Sequence, residues 1–308
     1  MADWPFERDH ATVPGRVEHP APGVRAVTAP NPGPMTFTGT RSYIVGRGQV
    51  AVIDPGPDDP AHLAALMRAL EPGERVEAVL VTHGHRDHSA GAARFAAEAG
   101  APVLAHGAPE EGARPLAAEW AAAGMVGGGE GIDRDFRPDR RIGDGAVIAG
   151  GNWRLRAIAT PGHLGDHLAF AWEEAGVLFS GDVVMGWSTT VIAPPEGDLG
   201  TFMESLARLA ARPENLFLPG HGGPVRDPRG LIAWQAAHRR ERMAEIVEAL
   251  RQGPCTVEEI VAAVYAGLDP RLGRAAARSV LAHLVALAEA GEVVIEGSPG
   301  PGARFRLA

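Results

Sequence analysis

Eight residues, THGHRDHS (Thr82 to Ser89), place three histidines and an aspartate directly after the apolar run VEAVLV. Imidazole and carboxylate groups are ligands for Zn, and the same donors also suit Mn or Fe. His83 and His85 are two residues apart, so on extended backbone their rings project to one side and can reach one ion. Asp87 and His88 follow on the turn, close enough to grip a second ion beside the first. A lone histidine is ordinarily a packing or surface residue, but four ligand-type side chains in six positions at a strand end imply a metal. Three later turns extend the set: His163 in TPGH, Asp182 in SGD and His221 in PGHG. Each comes just after an apolar strand, with a glycine beside or before it that lets the backbone turn tightly. Purely structural zinc sites usually saturate four positions with Cys, and this chain has one cysteine, Cys255. Five histidines and two aspartates read instead as a catalytic pair of divalent ions with open coordination, zinc first.

The elements that must position these residues follow from pattern. RSYIVG and QVAVIDPG predict a hairpin closed by the turn GRG, and DPAHLAALMRALEPG predicts a helix stopped by Pro-Gly. VEAVLV is short and apolar throughout, as expected of a strand buried on both faces. SAGAARFAAEAG should be a helix, APVLAHG a strand and LAAEWAAAG a helix, with the Gly-rich stretch Gly124 to Gly151 a loop of weak strand content. WRLRAIATPGH, LAFAWEEAGVLFSGD and LFLPGH each deliver an apolar strand into a ligand-bearing turn, so strand ends rather than helix faces carry the chemistry. Only a loop and the helix TFMESLARLAARP separate Asp182 from His221. Beyond about Arg226 the pattern changes to a long helix, LIAWQAAHRRERMAEIVEALRQG, and then to PCTVEEIVAAVYAG, where Thr256 and Glu259 have capping-box spacing. RAAARSVLAHLVALAEAG and the hairpin-like EVVIEGSPGPGARFRLA complete the outline of a winged helix. The expected division is a catalytic domain over residues 1–230, then a linker helix and winged-helix-like domain over 231–308.

Composition narrows the function classes. At 308 residues with 45% hydrophobic content, the chain can bury an ordinary core. Its formal charge is -9 and its 29 basic residues are all Arg. An acidic body does not favour bulk nucleic-acid binding, although bound cations would reverse the sign locally. A single cysteine excludes an intramolecular disulfide, and no apolar run approaches a membrane span. A cytoplasmic protein without membrane contact is therefore expected, and neither a GxSxG motif nor a plausibly placed Cys offers a covalent nucleophile.

HGHRDH with the later His163, Asp182 and His221 resembles the metallo-beta-lactamase superfamily in its two-metal form, with all seven positions in order. The resemblance implies that His83, His85 and His163 bind one metal, that Asp87, His88 and His221 bind the second, and that Asp182 bridges them. It implies an α+β fold, the αβ/βα sandwich, with the metals at one edge of two packed sheets. NPGPMTFTGTRSYIVG, the phrase STTV, the HRRERM helix and VLAHLVALAEAGEV narrow it to the lactamase-beta-2-type proteins with a C-terminal winged helix, a group that includes endoribonucleases acting on single-stranded RNA. One departure is RSY where NTY is expected, which puts Arg41 in place of a small amide at a position where substrate contact would alter specificity.

Two adjacent divalent ions lower the pKa of a shared water, so the expected nucleophile is a bridging hydroxide, oriented by Asp87, which takes its proton. Asp54 is a candidate partner for a ligand histidine, His167 either packs there or donates a proton to the leaving group, and Thr189 and Thr190 are candidates for substrate contact. His106 and His238 are assigned to structure or surface. The primary expectation is an endoribonuclease-like phosphodiesterase whose C-terminal arginines (Arg239, Arg240, Arg242, Arg271, Arg274 and Arg278) contact RNA phosphates, against the reading of those arginines as solvated helix faces. The alternative is a small-molecule thioester, lactone or ester hydrolase of glyoxalase II type. A third reading is a winged-helix regulator that senses a metal or ligand and binds nucleic acid, with Arg304 and Arg306 on its wing. A duplex DNA partner is not expected, and a homodimer is compatible with the sequence.

Overall fold

The computed structural model describes residues 5–108, 114–125, 129 and 131–308. Part of the Gly124 to Gly151 stretch, residues 126–128 and 130, lies outside the described residues. The first sheet takes its strands in sequence order: β1 (Val17–Ala21), β2 (Val24–Thr28), β3 (Arg41–Arg47), β4 (Gln49–Ile53), β5 (Arg75–Leu80), β6 (Val103–Ala105) and β7 (Arg140–Arg141). β3 and β4 form the expected antiparallel hairpin, and pairing turns parallel from β4 onward. Parallel neighbours need crossovers, which α1 (Pro60–Arg68), α2 (Arg86–Ser89), α3 (Ala92–Ala99) and α4 (Pro115–Ala122) provide. α1 starts where Asp59 accepts a hydrogen bond from the His62 backbone at 2.8 Å and Pro60 occupies the first turn.

The second sheet contains β8 (Val147–Gly150), β9 (Trp153–Ala159), β10 (Leu168–Trp172), β11 (Val177–Gly181) and β12 (Leu216–Pro219), in the order β12-β11-β10-β9-β8. LAFAWEEAGVLFSGD is not one strand. Glu173–Ala175 make a single 3-10 turn, and Gly176, with φ 65°, lets β10 fold back on β11. Two glutamates followed by glycine break the apolar run, which is the local signal for that turn. β11 and β12 are parallel and are linked by α5 (Leu199–Ala210), capped by Asp198.

Inner faces of the two sheets interlock through Val45, Ile53, Leu80, Leu155, Phe170 and Phe179. α1 and α3 cover the outer face of the first sheet through Leu63, Leu66 and Phe95, while α5 covers the second through Phe202, Leu206 and Leu209. The layering is thus the αβ/βα sandwich. The chain continues as α6 (Pro228–Arg251), α7 (Val257–Val264), α8 (Gly273–Glu289), β13 (Val293–Glu296) and β14 (Arg304–Leu307). The Thr256/Glu259 capping box is formed. α6 spans both parts: Leu231 and Ile232 pack on the sandwich, whereas Ile246 and Leu250 join the C-terminal core around Ile260, Leu284 and Phe305. Trp120 of α4 enters that second core as well. Among the described residues, no helix is long and apolar enough to cross a membrane.

Strand direction explains where the chemistry gathers. β4 and β5 run parallel, as do β11 and β12, and β9 shares the direction of β11 because each is antiparallel to β10. The C-terminal ends of these strands carry Asp54, His83, His163, Asp182 and His221.

Candidate metal centre

Seven side chains separate into two converging groups, His83, His85, His163 and Asp182 in one and Asp87, His88 and His221 in the other. In the first, His85 Nδ1 lies 2.9 Å from His83 Nε2 and 3.0 Å from His163 Nε2, with Asp182 Oδ2 3.9 and 3.7 Å from those two Nε2 atoms. In the second, His88 Nε2 and His221 Nε2 are 3.4 Å apart, and Asp87 Oδ2 is 3.4 and 3.3 Å from them. Asp182 also faces this second group, its Oδ1 3.6 Å from His88 and its Oδ2 3.4 Å from His221. One carboxylate is therefore shared by both.

The spacings in the second group, 3.3 to 3.4 Å, match the edge of a tetrahedral metal site, whereas the 2.9 and 3.0 Å contacts of His85 are of hydrogen-bond length. Four nitrogens about 2.0–2.1 Å from a tetrahedral zinc stand about 3.3 Å from one another. Asp182 Oδ1 is buried without a hydrogen-bond partner. Burial drives His83 well below the usual imidazole range and takes His85 to about 3, and neighbouring histidines push the same way. His163 is lowered as well, chiefly by burial. All three are neutral donors, as ligation requires. His221 behaves oppositely: burial is outweighed by Asp182 and Asp87, which raise it to about 9. His221 lies between buried Asp182 and partly exposed Asp87, 3.4 and 3.3 Å from their oxygens. The donor set thus fits two divalent ions.

The outward-facing nitrogens are fixed from behind. His163 Nδ1 donates to Val191 O at 2.7 Å, and His88 Nδ1 meets Asp54 Oδ2 at 2.9 Å. Asp54 also accepts from the Thr82 backbone at 2.7 Å and from Thr82 Oγ1 at 2.8 Å, and Thr82 Oγ1 lies 2.9 Å from His83 Nδ1. Asp54 consequently orients one histidine of each group, directly in one case and through a hydroxyl in the other. It does so at φ 49°, a left-handed conformation uncommon for a residue other than glycine. Asp54→Asn is expected to weaken zinc affinity about 10- to 100-fold. Competition against a chromogenic chelator measures this, and unchanged affinity would remove the orienting role.

The other candidates divide. His167 is 1% exposed, its Nδ1 2.8 Å from Thr160 Oγ1 and its Nε2 accepting the Asp182 N–H at 3.2 Å. Both nitrogens are engaged within the fold, behind Asp182. Thr190 is also buried, its hydroxyl donating to Asp182 O at 2.6 Å, and it lies in the wall of the cavity described next. Thr189 lines a cavity of about 350 Å³ that reaches His163 and Asp182. His238, expected to be structural, lines that cavity too. The Arg41 guanidinium is engaged away from the donor groups: the residue is 1% exposed and pairs with Glu18 at 3.2 Å, while its backbone N–H ties β3 to Gly220 beside His221. Sequence reasoning missed Thr40, whose hydroxyl donates to Asp87 Oδ2 at 2.8 Å, and Asp166, which accepts the Gly84 N–H at 3.0 Å. Thr82 and Asp166 adjoin recognised motifs, but Thr40 carries no local signal.

Comparison with known proteins agrees with this geometry. The metallo-beta-lactamase superfamily profile matches residues 35–221, and that of the beta-lactamase associated winged helix domain matches residues 256–302. A lactamase-like protein of Aspergillus niger is 30% identical over 302 residues, covering 92% of this chain and 86% of the relative. An atrochrysone carboxyl ACP thioesterase of Aspergillus novofumigatus is 30% identical over 272 residues, covering 84% of this chain and 76% of the relative. The crystal structure of a beta-lactamase domain protein from Burkholderia ambifaria superposes with a TM-score of 0.80 at 28% identity, covering 96% of this chain and 95% of that one.

Proposed function

This chain belongs to the metallo-beta-lactamase superfamily and is a hydrolase, and from that premise we propose that it cleaves small thioesters at a two-metal centre. The cavity carries the reading. It ends on His163 and Asp182, and its walls include Met185, Trp187, Tyr265, Leu268 and Leu272, a lining suited to an acyl group. A relative named as a thioesterase supports it. Two of the six arginines expected on RNA phosphates are placed against that role, which weighs against the ribonuclease expectation: Arg239 is buried and Arg271 pairs with Asp269 at 2.6 Å. On the wing, Arg304 and Arg306 face Glu259 and Glu296 at 3.1 and 3.8 Å, which weakens the regulator reading likewise.

In this proposal His83, His85 and His163 would hold one divalent ion and Asp87, His88 and His221 the other, with Asp182 facing both groups and zinc the metal expected of the donors. When bound, such ions lower the pKa of water toward neutrality and withdraw charge from an attacked oxygen. Asp87 has the more exposed of the two carboxylates, with its side chain 26% accessible against 9% for Asp182, and Thr40 fixes its orientation. It orients the attacking water and accepts its proton. The water oxygen joins the carbonyl carbon, the C–S bond breaks, and the proton held by Asp87 passes to the departing thiolate.

Asp87→Asn is expected to lower turnover of butyryl-N-acetylcysteamine by about 10² to 10⁴, and EDTA to abolish it until Zn, Mn or Fe is restored. Thioester turnover indifferent to chelation would overturn the two-metal reading. Faster metal-dependent cleavage of unstructured RNA than of any thioester would reinstate the ribonuclease.

A further inference from the structure

One stripe of α6 faces the cavity at helical spacing, with His238, Arg239 and Arg242 in its wall. Arg239 is 5% exposed. Its guanidinium donates to two neutral acceptors, Thr190 O and, at 3.3 Å, Ser279 Oγ, and lies 5.6 Å from the Phe202 ring centroid. Among the described residues it has no carboxylate partner. Among the described residues, Asp182, at the metal end, is the one acid in the cavity wall, and Arg242, in the same wall, is paired with Glu245 at 2.5 Å. Burying a cation without a counter-charge is costly, and proteins retain such a charge where a ligand supplies the partner. Other groups agree. His238 Nδ1, His283 Nε2 and both amide atoms of Gln235 are buried without partners around this stripe, as is Nε1 of Trp187 in the same wall. Burial, reinforced by Arg239 and Arg242, pushes His238 and His283 down to about 4.

We propose that Arg239, with Arg242 one turn further along α6, anchors an anionic group of the substrate, carboxylate or phosphate, so that the hydrolase prefers thioesters charged away from the scissile carbonyl. This rests on the thioesterase reading. The anchor is joined to the reaction centre through Thr190, whose carbonyl accepts from Arg239 and whose hydroxyl donates to Asp182 O. It therefore sets the distance between the charge and the attacked carbon. The C-terminal module contributes Tyr265, Leu268 and Ser279 to the same wall, so it acts as a specificity element.

Three substrates locate the charge: butyryl-N-acetylcysteamine, its succinyl counterpart with a carboxylate on the acyl group, and butyryl-coenzyme A with phosphates on the leaving group. The zinc-loaded enzyme is expected to show a kcat/KM about tenfold higher for one of the charged pair than for the neutral thioester. Which one it is identifies the source of the anion. Arg239→Gln should bring that ratio close to one, chiefly through KM, and Arg239→Lys should keep most of it. A merely structural role would lower all three rates together. Equal turnover of the three by the wild type, or a preference that survives Arg239→Gln, overturns the anchor. If Arg239→Gln does not fold, as judged by circular dichroism, the same ratio in Arg242→Gln decides. Absence of turnover on all three is a different result: it is failure of the thioesterase reading and removes the anchor with it.

Discussion

An Asp182→Ala variant is expected to lose hydrolysis by at least about a thousandfold and to bind fewer than two metal equivalents. The reason is geometric. Asp182 is 7% exposed, and its two oxygens lie 3.4 to 3.9 Å from four ligand nitrogens drawn from both groups. Removing it leaves His83, His85 and His163 without a carboxylate in their group, and leaves Asp87 as the only acid among five histidines. Asp182 also carries a large share of the local charge balance. Burial opposes its ionisation, but His221 and His88 hold its carboxyl well below the usual range. Its backbone is secured separately by His167 and Thr190, so the polypeptide should still fold. Elemental analysis after dialysis, with far-UV circular dichroism as the check on folding, tests this. Two bound equivalents with wild-type turnover would show that Asp182 is not shared.

Gly220→Ala is expected to cost about a hundredfold or more in activity although it replaces none of the seven donor residues. A Cβ there would overlap Asp182 Oδ1 and stand 2.6 Å from His88 Cε1. The backbone cannot retreat, because the Gly220 N–H donates to Gly181 O at 2.9 Å and its carbonyl accepts from Arg41 N at 2.8 Å. Gly220 is not among the positive-φ glycines, so the loss would come from volume rather than backbone conformation. Gly143→Ala is the matched control, since its Cβ would meet nothing within 4 Å. Metal content and kcat should fall in the first variant and stay near wild type in the second. Equal behaviour of the two would mean that the site tolerates a methyl group between its metal groups.

Much of this centre was legible because ligands at strand ends leave a local trace. VEAVLV before THGHRDH, and LFLP before GHG, announce an apolar strand running into a turn, and residue type then names the chemistry. The capping box at Thr256 was legible for the same reason, since both partners lie within one helical turn. LAFAWEEAGVLFSGD was harder: its apolar pattern hides a reversal that Glu173, Glu174 and Gly176 mark weakly. Arg41 drew attention through its departure from a motif, yet its side chain finds Glu18 on β1, a partner no local pattern indicates. Thr40 reaches Asp87 across 47 positions of sequence, and nothing near either residue announces the contact.

By itself, then, the sequence determined the donor residue types, their order along the chain and the helix-helix-hairpin character of the C-terminal part, because each is written in residue type and short-range periodicity. The tertiary structure decided what the sequence could not. Sheet order and strand direction bring the ends of β4, β5, β9, β11 and β12 to one edge, so that Asp54 serves two histidines and Asp182 serves two groups. Packing of α6 and α8 against the 185–191 loop encloses the cavity and buries Arg239 there, an arginine read from sequence as exposed, to RNA phosphates or to solvent. Burial and convergence are properties of distant segments brought together, and no local spacing encodes them.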